Sequence, residues 1–197
     1  MTEIKSISYN YNNYRDLVIE LSEKKGCTGE ISEERVIATK INAQRMKRLD
    51  KQIILNDKIL EALKINKPWT WVVLIESWCG DGAQNLPIIA KIAELSPNIE
   101  LKILLRDQNP ALMDKYLTNG SKSIPKLICY EKGTEKEIGV WGPRPKVIQE
   151  MVKVFKSNNP TVSHDEFVKN LHLWYAQNKA EALQEEFAQL IMEWSTK

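Results

Sequence analysis

The sequence predicts an α/β fold in which helices flank a mixed central sheet and further helices lie at both ends of the chain. In the middle, short apolar runs rich in β-branched residues alternate with segments of helical period, whereas the two ends show helical period only. The 197 residues divide accordingly into a helical N-terminal extension over 1–68, an α/β domain over 69–157 and a helical C-terminal extension over 158–197.

Three helices are predicted before the first strand. The segment YRDLVIELSEKK has apolar residues at helical spacing and should stop at Gly26. Ser32 is the expected N-cap of a second helix, SEERVIATKINAQRMKRLDK. A shorter helix, NDKILEALK, precedes Pro68.

The central unit is predicted to follow the order β-α-β-α-β-β-α. Its strands are expected in TWVVLIES, IELKILLRD, KLICYE and EKEIGVWG, the last two joined by a turn at Gly133. Its helices are expected in AQNLPIIAKIAEL, PALMDKYLT and PKVIQEMVKVF, with Asn109 capping the second. Two amphipathic helices, HDEFVKNLHLWYAQ and KAEALQEEFAQLIMEW, follow and should lie outside the central unit.

Composition narrows the functional class only slightly. A net charge of +2 favours no nucleic-acid partner, and the absence of a long apolar run favours neither a membrane span nor a signal peptide. We therefore expect a cytoplasmic protein. Three widely spaced cysteines fit neither a disulfide framework nor a zinc site, so reduced thiols are expected. His164 and His172 have no neighbours at ligand spacing, so no metal is expected.

Cys79 is the candidate catalytic residue. It lies in ESWCGDGAQNLP, between a buried strand and a helix. Unpaired backbone N–H groups and the helix dipole stabilise an anion there, so we expect a thiol pKa below the unperturbed value of about 8.5. The alternative is that Cys79 is a small buried apolar residue without reactivity.

This segment resembles the active site of the thioredoxin superfamily, whose members place Trp-Cys-Gly before a variable position and usually a second cysteine. Pro87, the DQNP at 107–110 and the Ile124-Pro125 dipeptide match further family positions. The resemblance implies a thioredoxin-like fold and a cis bond before Pro125. It also implies a substrate groove formed by Trp78, Ile124 and Pro125 beside Cys79. The WCGD, SIPK and WGPRP segments together resemble a bacterial branch of thioredoxin-like proteins that carries helical extensions at both ends.

Two departures from the family pattern limit the implied chemistry. Gly82 stands where a dithiol thioredoxin has its resolving cysteine, so the turn of Gly80, Asp81 and Gly82 provides no second thiol. Val73 stands where the family has a buried aspartate that assists proton transfer. Glu76, three residues along the strand, is expected on the other face and cannot be assumed to replace it.

Several residues near this segment have two interpretations. Asp81 either raises the thiol pKa or caps the helix start, and we favour the cap. Arg144, in WGPRP, either orients an acidic partner or locks its loop, and we favour the loop. Cys27 should be exposed in a turn, where it could resolve a bond to Cys79, but we do not favour this role, because the sequence gives no distance between the two thiols. Cys129 is expected in the core.

One further segment carries excess charge. The run KINAQRMKRLDK, which includes Arg45 and Arg48, should be a solvated helix face, or should attract an anionic ligand if it folds over the Cys79 end.

The favoured function is single-thiol exchange through Cys79, with glutathione or another small thiol as co-substrate that resolves the mixed disulfide. Partners would then be protein or small-molecule thiols and disulfides, with no resident cofactor. A binding module of thioredoxin fold, in which Cys79 is idle, is the alternative. An iron–sulfur carrier with glutathione as co-ligand ranks last, because CGDG departs from the CGFS that monothiol glutaredoxins have. The sequence predicts no oligomeric state.

Overall fold

The computed structural model describes residues 7–65, 67–158 and 161–197. Its strands are β1 Trp69–Ile75, β2 Ile99–Leu105, β3 Lys126–Glu131 and β4 Glu137–Trp141. They form one sheet in the order β2-β1-β3-β4, in which β1 runs parallel to β2 and antiparallel to β3, and β4 runs antiparallel to β3. The predicted mixed sheet flanked by helices is therefore confirmed.

The helices occupy the predicted segments, with differences at some ends. They are α1 Tyr11–Glu23, α2 Glu33–Gln52, α3 Asp57–Ala62, α4 Gly80–Glu94, α5 Pro110–Met113, α6 Lys146–Asn158, α7 His164–Asn178 and α8 Glu181–Trp194. Ser32 caps α2 as predicted, since its side chain accepts the N–H of Arg35. The helix α5 is shorter than PALMDKYLT. Asn109 is its N-cap residue, as predicted, but the side chain makes no capping hydrogen bond and its amide donates to the carbonyl of Leu105.

One large core joins the sheet to helices from both ends of the chain. Tyr14 of α1 and Met46 of α2 are buried with the strands. Phe187 of α8 packs edge-on against Trp71 of β1, with ring centroids 5.5 Å apart. The helix α8 therefore lies in the core of the central unit, not outside it as the sequence suggested, because its aromatic face covers the sheet.

The helices α6 and α7 form a second, smaller apolar cluster. Its buried members are Ile148 of α6 and Phe167, Leu171 and Tyr175 of α7. This packing positions the polar side chains of α7 next to the start of α4. No helix within the described part of the chain is long and apolar enough to cross a membrane.

Candidate active site

Cys79 lies where the sequence placed it, between the end of β1 and the start of α4. It is the N-cap of α4, and its Sγ accepts the N–H of Gly82 at 3.2 Å. The same Sγ lies 3.3 Å from the carbonyl oxygen of Ile124, to which the thiol donates. Only 7% of the residue is exposed. The thiol is therefore held between a helix start and a neighbouring loop.

The protonation of Cys79 differs from the expectation. Burial is the main cause that raises the pKa of this thiol to about 12, and the negative charge of Asp81 is the second. The Gly82 N–H and the charge of Arg144 act in the opposite direction, but they are weaker. The predicted lowering of the thiol pKa is therefore wrong for this closed arrangement, because desolvation outweighs the helix end.

The loop before β3 forms the second wall of the site. The peptide bond between Ile124 and Pro125 is cis, which is the geometry that the family resemblance implies. Ile124 and Pro125 are both buried, and Trp78 is half-buried. Gly142 has a φ of +114°, and a Cβ atom there would lie 2.2 Å from the carbonyl oxygen of Pro125. Only glycine allows the WGPRP loop to approach Pro125 so closely.

Asp81 does not cap α4, since Cys79 takes that position. Its carboxylate instead lies 2.6 Å from the guanidinium of Arg144 and accepts the hydroxyl of Tyr175 at 3.0 Å. The side-chain amide of Asn85 donates to the same hydroxyl at 3.0 Å. The predicted capping role of Asp81 was thus wrong, because its carboxylate binds Arg144 and Tyr175, which lie in two segments distant along the chain. Arg144 does lock its loop, and it does so by this ion pair.

Residues from α2 and α7 cover Gly80. A Cβ atom at Gly80 would lie 3.1 Å from His172 Nε2 and 3.5 Å from a guanidinium nitrogen of Arg45. Burial, followed by the charges of Arg45 and Arg144, lowers the pKa of His172 to about 4, so the ring is neutral at pH 7. The helix α2, which carries the basic run, therefore does lie over the turn that follows Cys79.

The loop between α1 and α2 binds to the segment just before Cys79. The backbone N–H of Thr28 donates to Ser77 Oγ at 2.9 Å, and the N–H of Ser77 donates to Thr28 Oγ1 at 2.8 Å. The indole N–H of Trp78 donates to the carbonyl of Thr28 at 3.2 Å. Cys27 is buried by this packing, which corrects the expectation of an exposed thiol, and its Sγ lies 3.5 Å from the carbonyl of Glu30.

Two arginines flank the tryptophan that precedes Cys79. The guanidinium carbons of Arg35 and Arg106 lie 4.6 and 4.9 Å from the centroid of the Trp78 ring. Both distances suit cation–π contact. Two guanidinium groups therefore cover this half-buried ring, and each also pairs with a carboxylate, Arg35 with Glu30 and Arg106 with Asp107.

Val73, at the position where the family has a buried aspartate, and the nearby Glu76 are both buried. Val73 lies in the core of β1, so it offers no proton. Glu76 Oε1 accepts the N–H of Asp107 at 2.8 Å, and its Oε2 has no hydrogen-bond partner among the described residues. Burial raises the pKa of Glu76. Burial also raises the pKa of Tyr14, and the charges of Cys79 and Glu76 raise it further. Glu76 is thus an ionisable group inside the protein near the site.

The remaining candidates lie apart from this chemistry. Cys129 is fully buried in β3, as predicted. The side chain of His164 lies outside the described residues. Among the residues that are described, no group of three or more His, Cys, Asp or Glu side chains could hold a metal ion.

The sequence analysis missed the contribution of α7 to the site. His172 and Tyr175 lie about ninety residues from the active-site turn along the chain, so spacing gave no indication. One signal was available: both lie close to the apolar stripe of an amphipathic helix, where a polar side chain needs a buried partner. Gln84 and Asn85 of α4 supply those partners.

Comparisons with known proteins agree with this architecture. A family model described as Thioredoxin matches residues 30–157. A thioredoxin from Streptomyces clavuligerus is 38% identical over 89 residues, which are 44% of this chain and 76% of the relative.

Two solved structures share the fold over nearly the whole chain. One is a protein of unknown function from Pseudomonas aeruginosa, with a TM-score of 0.58 over 93% of this chain and 98% of the other. The other is an HIV epitope scaffold, with a TM-score of 0.51 over 95% of this chain and 96% of the other. Both are 16% identical to the chain, so they show the fold alone.

Proposed function

We propose that the chain, which belongs to the thioredoxin family, performs thiol–disulfide exchange with a single thiol, Cys79. One observation carries this proposal: Cys79 Sγ accepts the Gly82 N–H at the start of α4 and faces the Ile124 carbonyl of the loop before β3. A dithiol thioredoxin has its second cysteine at the position of Gly82. A mixed disulfide on Cys79 must therefore be resolved by another molecule.

The exchange consists of two balanced steps. In the first, the Cys79 thiolate attacks one sulfur of a disulfide, the new S–S bond forms, and the other sulfur leaves as a thiolate. In the second, the thiolate of glutathione or another small thiol attacks the mixed disulfide and releases Cys79. Such thiols are abundant in a reducing cytoplasm, which is where we place the activity.

The raised pKa of the Cys79 thiol determines the conditions under which Cys79 can attack a disulfide. Because burial is the main cause, Cys79 is a neutral thiol in this closed arrangement. When water reaches the sulfur, the helix end favours the thiolate. Exchange should consequently be slow at neutral pH and become faster as the pH rises.

A second function, binding of an extended peptide without catalysis, is favoured by the same raised pKa. In that case Trp78 and the two guanidinium groups over its ring would contact the partner, and Cys79 would remain a thiol. The two functions differ in one measurable property, which is whether Cys79 forms a mixed disulfide during turnover.

The test is a coupled assay in which reduced glutathione and a neutral small disulfide are mixed with the protein. Single-thiol exchange predicts a catalysed rate that is lost in Cys79→Ser and kept in Cys27→Ser. A catalysed rate that disappears in Cys27→Ser would show that Cys27 resolves the bond. No catalysed rate at any pH at which the protein remains folded would leave peptide binding as the function.

A further inference from the structure

Arg45 lies beside Gly80, the residue that follows Cys79, and its guanidinium forms no ion pair with a carboxylate among the described residues. Its guanidinium donates to the side-chain oxygen of Asn42 at 3.0 Å. Asp81, whose charge acts on the pKa of Arg45, is already bound to Arg144 and Tyr175. A half-buried cation without a paired carboxylate stabilises an anion that enters its surroundings.

His172 presents an N–H group on the same side of the turn. Its Nδ1 lies 3.3 Å from the side-chain amide nitrogen of Gln84. An amide nitrogen can only donate, so Nδ1 accepts and the single proton of the neutral ring lies on Nε2. Nε2 is the ring nitrogen close to Gly80, the residue that follows Cys79, and its N–H makes no hydrogen bond to another described residue.

We propose that Arg45 and His172 form an anion subsite beside Cys79 that binds a carboxylate of a small thiol or disulfide. Arg45 supplies the charge and His172 supplies a directed hydrogen bond. Arg48, exposed on the same helix, adds positive potential, which is also felt by Arg45. This inference rests on the proposed function and deepens it, since it selects carboxylate-bearing small thiols over neutral ones.

The test compares two alkylating reagents of similar size, iodoacetate and iodoacetamide, which differ by one negative charge. The ratio of their rates at Cys79 is measured in the wild type and in Arg45→Gln. A change in thiol pKa alters both rates equally, so it cancels from the ratio. We expect the ratio to fall about fivefold in Arg45→Gln, as for loss of one charge interaction in a water-like surrounding.

Three further variants show whether a change in the rate ratio is specific to Arg45 and His172. Lys47→Gln removes one charge from an exposed position of α2 and should leave the ratio unchanged. Arg45→Lys keeps the charge and should keep most of the preference, while His172→Gln should reduce it. A ratio that is the same in the wild type and in Arg45→Gln, or that falls equally in Lys47→Gln, would overturn the proposal.

A binding measurement decides the proposal if the native thiol resists both reagents. Cys79→Ser is titrated by calorimetry with S-methylglutathione and with its diethyl ester, which keeps the amino group but has no carboxylate. Tighter binding of the free acid, with the difference lost on adding Arg45→Gln, is the expected result. Equal binding of acid and ester, or no binding of either, would contradict the subsite. Neither readout requires turnover, so a failed exchange reaction and a failed subsite are distinguishable.

Discussion

The guanidinium of Arg144 lies 2.6 Å from the carboxylate of Asp81, and this ion pair joins the loop after β4 to the turn that carries Cys79. The two charges have opposite effects on the thiol: Asp81 raises its pKa and Arg144 lowers it. Tyr175 completes the arrangement by donating to Asp81 from α7. The protonation of Cys79 is thus coupled to two segments that are distant in sequence.

Replacing Asp81 by asparagine should make Cys79 more reactive. Asp81→Asn removes the negative charge that is the second cause of the raised Cys79 pKa. The charge of Arg144, which lowers this pKa, remains beside the thiol, so the pKa should fall. A decrease of about one pKa unit would raise the thiolate fraction about tenfold at a fixed pH below the pKa. The pH dependence of iodoacetamide alkylation at Cys79 measures this effect.

A matched variant controls for a general loss of negative charge. Asp114→Asn removes a carboxylate that is 55% exposed and pairs with Lys122, so it should leave the alkylation profile unchanged. An identical profile for the wild type and Asp81→Asn would mean that burial alone determines the pKa of Cys79.

Loss of the Tyr175 hydroxyl should weaken the contact of α7 with α4. Tyr175→Phe leaves the buried Asp81 carboxylate and the Asn85 amide without this partner, at a cost of about 1–3 kcal/mol of unfolding free energy. Urea denaturation measures the change. In a double-mutant cycle with Asp81→Asn, the two effects should not be additive. Additive effects would indicate that the hydroxyl and the carboxylate act independently.

A second cysteine at position 82 needs more space than the wild type provides. A Cβ atom at Gly82 would lie 2.6 Å from Ile75 Cδ1 but 3.4 Å from Cys79 Cβ, close to the separation in a disulfide. We expect Gly82→Cys alone to be destabilised. Ile75→Ala removes both Cδ1 and Cγ1, the second of which would lie 2.9 Å from the new Cβ atom, so Gly82→Cys with Ile75→Ala should form a disulfide between Cys79 and the introduced thiol on oxidation. Peptide mapping without reductant detects this bond.

The control for the double variant is Gly82→Ala with Ile75→Ala, which has the same packing change and no second thiol. It should show no insulin reduction with a thioredoxin reductase system, while the oxidisable variant should show some. Stable, fully reduced Gly82→Cys protein under oxidising conditions would contradict the geometry at this turn.

The secondary structure followed from local patterns, and so did the position of Cys79. Alternating periods of β-branched and helical residues defined four strands, and the turn after β1 defined the start of α4. Both signals act within a few residues, so one sequence is sufficient to read them.

The partners of Cys79 could not be predicted, because they arise from long-range packing. Asp81 had the features of a helix cap, but Arg144 and Tyr175 compete for its carboxylate from distant segments. The pKa of Cys79 likewise depends on how completely other elements exclude water from the thiol. Cys27 was expected to be exposed, because the binding of its loop to Ser77 is a tertiary contact.

The central claim is that Cys79 forms a mixed disulfide that a small thiol can resolve. The most direct test is incubation of the native protein with oxidised glutathione from about pH 7 to about pH 10, followed by peptide mapping. The account predicts an adduct on Cys79 that forms faster as the pH rises and is removed by reduced glutathione. An adduct that appears on Cys79 only after denaturation would contradict it.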